Sequence, residues 1–327
     1  MNRTYKVLSF LACVAAISTT VVGCGTSTTQ NTAGNSTSSN AASTKTTAFP
    51  VTLTDDSGAK VTVSAKPMHI ASGTEGTDEI LSALVPKSRI ALVTNYSSDP
   101  TYSNVVAQVK GIPQMADADP EKILSVHPDL VLLASYTKAG VVTQVRNAGV
   151  PVYEFNDFNS VNDIEKNIKV VGELVGEDAK ATQLVNHMNS QIKSIQSAVA
   201  GDAKPTVLDY SSYGFAAGSS TTVNEMITDA GGTNAAGSLG GWAKVTDEQL
   251  VKMNPDVIID SSDDQAFLQK LAKQPDLQSI TAIKEHHLYS IDSADLSSVS
   301  QSIVRGIADI AKVLHPNAQI PDVASEE

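Results

Sequence analysis

The sequence predicts an α/β fold made of two similar lobes with parallel sheets, joined by one long helix. Three observations predict it. Short aliphatic runs alternate with amphipathic helical stretches along most of the chain. Near the middle, two helical stretches follow each other with no strand between them. A phrase in the first half, "DPEKILSVHPDLVLLAS", has a counterpart in the second, "TDEQLVKMNPDVIIDSS". Strands that are aliphatic throughout are typical of parallel sheets covered on both faces.

The first 23 residues have the pattern of a secretory signal. A basic start, "MNRTYK", precedes an apolar stretch that is too short and too interrupted by Ser and Thr for a membrane span. The stretch ends in "VVGC", which resembles the lipobox of bacterial lipoproteins. This resemblance implies cleavage before Cys24 and lipidation of its thiol. The alternative is that Cys24 is an ordinary buried cysteine.

Residues 24–48 are predicted to form a flexible tether. They are mostly Ser, Thr, Asn, Gly and Ala and carry a single charge, Lys45. Such a composition cannot bury enough apolar surface to offset ordering. A flexible chain of this length has a root-mean-square reach of about 25–30 Å. The folded part is therefore expected on the outer face of the cell membrane, anchored through Cys24.

Composition limits the partners. The 327 residues carry a formal net charge of −12, so the protein is not expected to bind nucleic acid, which requires clustered Lys and Arg. The two cysteines are Cys13, inside the signal, and Cys24. No disulfide is therefore expected, and the exported fold must depend on its apolar core.

The N-terminal lobe is predicted over residues 49–176. It begins with a hairpin at 49–67, in which two alternating runs flank a "DDSG" turn. Strands and helices then alternate. The predicted strands are 68–72, 89–94, 129–134 and 150–155, and the predicted helices are 77–85, 119–126, 139–149 and 160–176.

A long connecting helix is predicted over residues 177–201, because apolar residues from Ala181 to Val199 recur at helical spacing. The C-terminal lobe is predicted over 202–316, followed by a tail, 317–327. Its predicted strands are 206–212, 256–261 and 287–292, and its predicted helices are 223–232, 247–253, 265–274 and 300–316.

These segments, taken in order, resemble the bacterial binding proteins for cobalamin and iron–siderophore complexes that supply ABC importers. The resemblance covers about residues 49–316. It is carried by the hairpin and by "HIASGTEGTDEILSALV", "ADPEKILSVHPDLVLL", "ITDAGGTNAAG", "GGWAKVTDEQLVKMNPDVII" and "IAKVLHP". It implies two Rossmann-like lobes bridged by a rigid helix, with the ligand in the cleft between them. The expected partners are a permease dimer and its ATPase subunits, and the binding protein itself is expected to be a monomer.

The resemblance also assigns a role to the repeated phrase. In similar proteins, one exposed Glu on each lobe docks on the permease, and Glu121 and Glu248 stand at the matching places. A carboxylate at a helix N-terminus is favoured by the helix dipole and can accept charge-assisted bonds from Arg. The alternative is that each Glu only stabilises its own helix start.

Ligands of parallel α/β lobes lie beyond the carboxyl ends of the strands. Loops predicted at those ends are rich in aromatic side chains, which suit a large flat or apolar ligand. Any of these aromatic residues could instead cover the core of its lobe. The predicted cleft residues are Thr74, Glu75, Tyr96, Tyr102, Tyr136, Tyr213, Phe215, Trp242 and Asp292.

Scarce arginine restricts the ligand. After the signal only Arg89, Arg146 and Arg305 remain, each predicted on a strand or helix. The Gly-Pro-Arg that the family often carries before its last helix is replaced by residues 300–302, Ser-Gln-Ser. Polyanionic siderophores and haem need cationic partners. The expected ligand is thus a metal chelate of low charge, either a corrinoid or a hydroxamate iron–siderophore.

No catalytic residue, resident cofactor or protein metal site is predicted. Of the six histidines, no pair has the i, i+4 spacing of a helical metal site. Two other readings remain open. One is a chelatase-like metal-handling enzyme that uses His287 and Glu75; the other is a surface lipoprotein without a transport role.

Overall fold

The structure, a computed structural model, describes residues 47–323. The predicted signal, Cys24 and most of the predicted tether lie outside the described residues. Within the described range, no helix has both the length and the apolarity required to cross a membrane.

The predicted hairpin is present at the start of the described chain. Strands β1 (Val51–Thr54) and β2 (Lys60–Val63) pair in antiparallel fashion. In the turn, the Asp55 carboxylate accepts hydrogen bonds from Ser57 N at 3.0 Å and from Ala59 N at 2.8 Å. These bonds close the turn and fix the register of the two strands.

The N-terminal lobe, here the part of the chain before the long helix, contains a parallel sheet with helices on both sides. Its strands are β3 (Ile70–Ser72), β4 (Ile90–Thr94), β5 (Gln114–Met115), β6 (Leu130–Ala134) and β7 (Val152–Phe155). Its helices are α1 (Glu75–Leu84), α2 (Val106–Val109), α3 (Pro120–Ser125), α4 (Ala139–Asn147) and α5 (Val161–Val175).

The sheet order is β5-β4-β3-β6-β7, with every neighbouring pair parallel. The chain builds outward from β3 to one edge and then returns to β6, on the other side of β3. The carboxyl ends of β3 and β6 therefore flank a topological switch point, where loops diverge and leave a crevice.

Helix α6 (Asp178–Ala198) follows α5 directly and leads to the second lobe. Its 21 residues span about 30 Å. The predicted apolar face is buried: Ala181, Leu184, Val185, Met188, Ile192 and Ile195. Near the start of α6, a Cβ added to Gly172 of α5 would collide with Ala181, so the close packing of the two helices requires glycine there.

The C-terminal lobe, the part after α6, repeats the architecture. Its strands are β8 (Thr206–Asp209), β9 (Phe215–Ala217), β10 (Thr233–Asn234), β11 (Trp242–Lys244), β12 (Val257–Ser261) and β13 (Leu288–Ile291). Its helices are α7 (Thr222–Asp229), α8 (Asp247–Met253), α9 (Gln265–Leu271), α10 (Thr281–Lys284), α11 (Ser293–Leu296) and α12 (Ile303–Leu314).

The main sheet of this lobe is parallel, in the order β10-β8-β12-β13. Its switch point lies between β8 and β12. Strands β9 and β11 form a separate antiparallel pair, which brings Trp242 opposite Ala217. The predicted fold, two parallel α/β lobes joined by one long helix, is confirmed.

The Pro-Asp of the repeated phrase has the same structural role in both lobes. Before β6, the Asp129 carboxylate accepts hydrogen bonds from the backbone of Met68 at 2.7 Å and His69 at 3.0 Å. Before β12, the Asp256 carboxylate accepts bonds from Thr206 N at 2.8 Å and Thr206 Oγ1 at 2.7 Å. In each lobe this carboxylate joins the amino ends of the two strands at the switch point.

Replacing Asp256 by Ala should lower the free energy of unfolding by about 1.5–3 kcal/mol, because two hydrogen bonds to a charged carboxylate are lost. Asp129→Ala should cost a similar amount. Urea denaturation followed by circular dichroism measures both, with Asp276→Ala, at an exposed position, as the control. A midpoint for Asp256→Ala equal to that of the control would contradict this assignment.

Candidate functional site

A cavity of about 330 Å³ lies at the switch point of the N-terminal lobe. We call it the N-lobe cavity. It is bordered by the residues that follow β3, β4, β5 and β6, so the parallel strands deliver their loops to one place. Predicted cleft residues line it: Thr74, Glu75, Tyr96 and Tyr136.

The start of α1 places Glu75 at this cavity. Thr74 is the N-cap, and its hydroxyl accepts a hydrogen bond from Thr77 N at 3.1 Å. Glu75 is therefore the first helical residue, directly beyond β3. Its Oε1 is buried without a hydrogen-bond partner. Burial, together with the negative charge of Glu79, raises the pKa of Glu75 well above its usual value.

Asp78, one turn further along α1, holds the loop after β4 through hydrogen bonds. Its Oδ2 accepts hydrogen bonds from Thr94 N at 2.9 Å, Thr94 Oγ1 at 2.7 Å and the Ser97 hydroxyl. The side chain is fully buried, and this burial raises the pKa of Asp78 to about 7. Asp78 thus connects α1 to the loop after β4, which carries Tyr96.

A second cavity, of about 410 Å³, lies at the switch point of the C-terminal lobe. We call it the C-lobe cavity. Asp209 at the end of β8 and Asp260 near the end of β12 lie in its wall, and Trp242 of β11 lines it as well. Ser261 and Ser293 provide hydroxyl groups, and Ser261 Oγ donates to Ser293 Oγ at 2.8 Å.

The two cavities adjoin. Phe158 follows β7 and belongs to the N-terminal lobe, yet it lines the C-lobe cavity. Its ring centroid is 6.3 Å from that of Tyr136, which lines the N-lobe cavity. An aromatic pair therefore lies between the two cavities, and we refer to the two cavities together as the cleft.

The lobes are joined below the cleft by polar contacts around Glu79 of α1. The Glu79 carboxylate accepts hydrogen bonds from Asn104 N at 2.7 Å, in its own lobe, and from the Ser300 hydroxyl, in the other lobe. The Gln301 side chain donates to Glu79 O at 3.2 Å. At a second junction, Val161 N donates to the Glu225 carboxylate at 2.5 Å.

Within residues 47–323, all three arginines form ion pairs, and none lines either cavity. Arg89, in a turn before β4, contacts Glu177 at 2.9 Å. Arg146 contacts Asp55 at 2.6 Å, and Arg305 contacts Asp295 at 2.7 Å. Lys138, at the exposed edge of the N-lobe cavity, is the cationic residue that borders the cleft in this part of the chain.

Residues 70–294 match the family described as "Periplasmic binding protein". This chain belongs to the periplasmic binding protein family. The resemblance inferred from its sequence is confirmed.

Two relatives are similar to this chain over most of their length. YvrC, an uncharacterized ABC transporter substrate-binding lipoprotein of Bacillus subtilis strain 168, is 31% identical over 282 residues, which cover 84% of this chain and 88% of YvrC. A cobalamin-binding protein of Halobacterium salinarum is 24% identical over 278 residues, 82% of this chain and 75% of that protein.

The fold agrees with solved structures. A possible iron-binding (periplasmic solute-binding) protein of Staphylococcus epidermidis has a TM-score of 0.68 against this chain at 24% identity. The superposition covers 77% of this chain and 100% of that one. This likeness concerns the fold alone.

Five of the nine predicted cleft residues line the two cavities: Thr74, Glu75, Tyr96, Tyr136 and Trp242. Tyr102 packs edge-on against Tyr96, with ring centroids 5.5 Å apart.

The remaining three do not border either cavity in the described chain. Tyr213 is 82% exposed on the loop before β9, and Phe215 is 39% exposed on β9 itself. Asp292 caps α11, accepting hydrogen bonds from Ala294 N at 3.0 Å and Asp295 N at 3.3 Å. The Asp292 carboxylate therefore satisfies backbone N–H groups at the start of α11.

Sequence reasoning missed Asp209 and Asp260 as cleft residues. Each follows an aliphatic run, "TVLD" and "VIID", at the carboxyl end of a parallel strand. An acidic residue at the end of a buried aliphatic run is unusual. Two such residues, each at the carboxyl end of one of two neighbouring parallel strands, predict a polar site at the switch point. That signal was available in the sequence.

The two predicted docking residues occupy equivalent positions. Glu121 is the second residue of α3, after the N-cap Asp119, and Glu248 is the second residue of α8, after the N-cap Thr246. Both are exposed. A hydrogen bond from the Thr246 side chain lowers the pKa of Glu248.

Asp78→Asn should weaken the dependence of stability on pH. The folded state raises the pKa of Asp78 from 3.8 to about 7, so native protein binds this proton more tightly than unfolded protein does. Its contribution to stability is therefore complete below pH 4 and is lost as pH rises through 7. Asn keeps the shape and cannot ionise.

Urea denaturation at pH 4.5, 6 and 8 measures this difference. Relative to wild type, Asp78→Asn should gain stability as pH rises, whereas the exposed-site control Asp276→Asn should keep a constant difference. A constant difference for Asp78→Asn as well would show that Asp78 is not held protonated in the fold.

Proposed function

We propose that this protein is the extracytoplasmic substrate-binding component of an ABC importer, and that it carries an intact metal chelate of low or positive charge. A corrinoid or a hydroxamate iron–siderophore has the required character. The observation that carries the proposal is the cleft itself: two adjoining cavities with aromatic side chains at their edges, carboxylates in their walls and all the arginines of the described chain engaged elsewhere.

The size of the cleft supports a ligand larger than a bare ion. The two cavities hold about 330 and 410 Å³, the range of small-molecule sites. No group of three or more His, Cys, Asp or Glu residues in residues 47–323 is arranged to hold a metal ion. The metal would therefore arrive already chelated, with its organic ligand making the contacts.

Charge supports the choice among chelates. Glu75, Asp117, Asp209 and Asp260 border the cleft, opposed there by Lys138. This arrangement disfavours anionic chelates such as catecholate siderophores and haem with its propionates, which require cationic partners. The family includes a relative named for binding cobalamin, which supports the corrinoid alternative.

Delivery is proposed to use Glu121 and Glu248. Their equivalent, exposed positions give the two-lobed molecule a pair of carboxylates, one for each subunit of a permease dimer with its ATPase subunits. Anchoring through diacylated Cys24 would hold the monomer at the outer face of the membrane. The relative YvrC is itself named as a lipoprotein, which supports this arrangement.

Fluorescence of Trp242 should report ligand binding, because it is the single tryptophan of the chain, is 57% exposed and lines the C-lobe cavity. Residues 49–327 would be titrated separately with a cobalamin and a ferric hydroxamate siderophore. One of them should quench the emission saturably at sub-micromolar concentration. Free N-acetyltryptophanamide, mixed with the same ligands, corrects for absorbed light.

Calorimetry with the same two compounds decides the result if the fluorescence is unchanged. Absence of heat with both would overturn the proposed ligand class. Release or insertion of the metal on binding would instead support the chelatase-like enzyme, and absence of any binding would favour a surface lipoprotein without a transport role.

Glu121→Ala combined with Glu248→Ala should abolish uptake while ligand affinity stays within about twofold of wild type. The two side chains lie outside both cavities, so their loss removes contacts to the permease alone. Uptake of the radiolabelled chelate by cells, alongside calorimetry on the purified protein, measures both properties. Glu285→Ala, another exposed glutamate, is the matched control. Uptake at the wild-type rate in the double variant would refute docking through this pair.

A further inference from the structure

We infer that Asp209 and Asp260 form a subsite for an organic ammonium group in the C-lobe cavity. The inference rests on the proposed function in one respect: the ammonium would belong to the bound chelate. It adds a specific recognition element, namely a cationic substituent that points into the C-terminal lobe.

Two adjacent strands deliver carboxylates to one cavity. Asp209 is the last residue of β8, and the adjacent parallel strand β12 pairs Ile259 with Asp209. Asp260 follows Ile259, so its side chain leaves the sheet on the face opposite to that of Asp209. Both side chains line the C-lobe cavity, with exposures of 5% and 3%. Each places a carboxyl group in a wall otherwise made of hydroxyl, amide and apolar groups.

Asp209 accepts a backbone hydrogen bond from Ala217, whereas Asp260 has one carboxylate oxygen without a partner. Asp260 Oδ1 accepts a bond from Ser261 N at 2.8 Å. Asp260 Oδ2 is buried and has no hydrogen-bond partner in the structure. A buried carboxylate oxygen without a partner is costly, and a ligand N–H at this point would remove that cost.

The protein supplies no counter-charge there. Among the described residues, no Lys, Arg or His lines the C-lobe cavity. Burial raises the pKa of Asp209 and of Asp260 to about 7 each, which shows how poorly the surroundings compensate the ionised forms. A cation from outside would favour those ionised forms directly.

The surroundings match an ammonium better than a metal ion. The pair offers two carboxylates, and the hydroxyls of Ser261 and Ser293 lie in the same wall. A primary ammonium has three donors to distribute among such acceptors. Trp242 lines the same cavity, and an indole ring attracts a cation placed over its face.

The N-lobe cavity is a weaker candidate for the same group. Glu75 Oε1 is also buried without a partner, but Lys138 borders that cavity and competes for its charge. Glu75 is in addition close enough to Glu79 for the two carboxyls to interact. The ammonium is therefore placed in the C-terminal lobe.

The direct test uses n-hexylammonium and 1-hexanol as probes, which differ in charge and share their alkyl chain. Binding to residues 49–327 is followed by nuclear magnetic resonance. Wild-type protein should bind hexylammonium about tenfold more tightly than hexanol, as expected for a charge-assisted contact in a buried site. Asp260→Asn should reduce this preference to within about twofold, and Asp209→Asn serves as a second variant in case the first folds poorly. Asp276→Asn is the control and should keep the full preference.

A second measurement separates this inference from the proposed function. Ferrioxamine B, a ferric hydroxamate with a pendant ammonium, is compared with its N-acetylated form by calorimetry. Tighter binding of the ammonium form, lost in Asp260→Asn, supports both proposals.

Equal binding of the two chelates, together with equal binding of hexylammonium and hexanol, overturns the subsite and leaves the chelate-binding function intact. Binding of hexylammonium that depends on Asp260, without binding of either chelate, supports the subsite and counts against the hydroxamate ligand.

Discussion

The carboxylate of Glu79 is enclosed where the two lobes meet, and the shape of the cleft depends on the hydrogen bonds it accepts. A buried carboxylate must be satisfied, and its partners come from both lobes: Asn104 N on one side and the Ser300 hydroxyl on the other. Beside it, a Cβ added to Gly76 would lie 2.6 Å from Val299 Cγ2, so this approach of the lobes requires glycine. These contacts fix the two switch points on opposite walls of one gap.

The charged side chains fall into two groups, those paired within the framework of the fold and those that border the cleft. Arg89, Arg146 and Arg305 pair with carboxylates that stabilise turns, helix starts and the strand framework. The carboxylates of the cleft receive no such partner. Burial therefore raises the pKa values of Glu75, Asp209 and Asp260, and a positive charge entering the cleft would favour their ionised forms. The net negative charge of the chain attracts cations and repels anions at longer range.

Much of this could be predicted from the sequence, because long periodic elements carry strong signals. The apolar face of α6 and the aliphatic strands β6 and β12 were recognisable from spacing alone. Strands β9 and β11, of three residues each, are too short to show a period, and their pairing depends on tertiary structure. The position of Glu79 in the predicted helix does not indicate that its side chain is buried between the lobes. In the sequence, Tyr213 and Trp242 are both aromatic residues predicted on loops. The fold shows that Trp242 lines the C-lobe cavity and that Tyr213 does not.

The ties made by Asp129 and Asp256 have a mechanical consequence. Each lies entirely within one lobe and clamps two neighbouring strands where the sheet would otherwise begin to separate. The polar bonds across the lobe junction are centred on Glu79 and Glu225. A force that pulls the lobes apart would act on these junction bonds, whereas the bonds of Asp129 and Asp256 lie inside the lobes and hold each sheet together. On the proposed function, separation along this junction would release the ligand while both lobes stay folded.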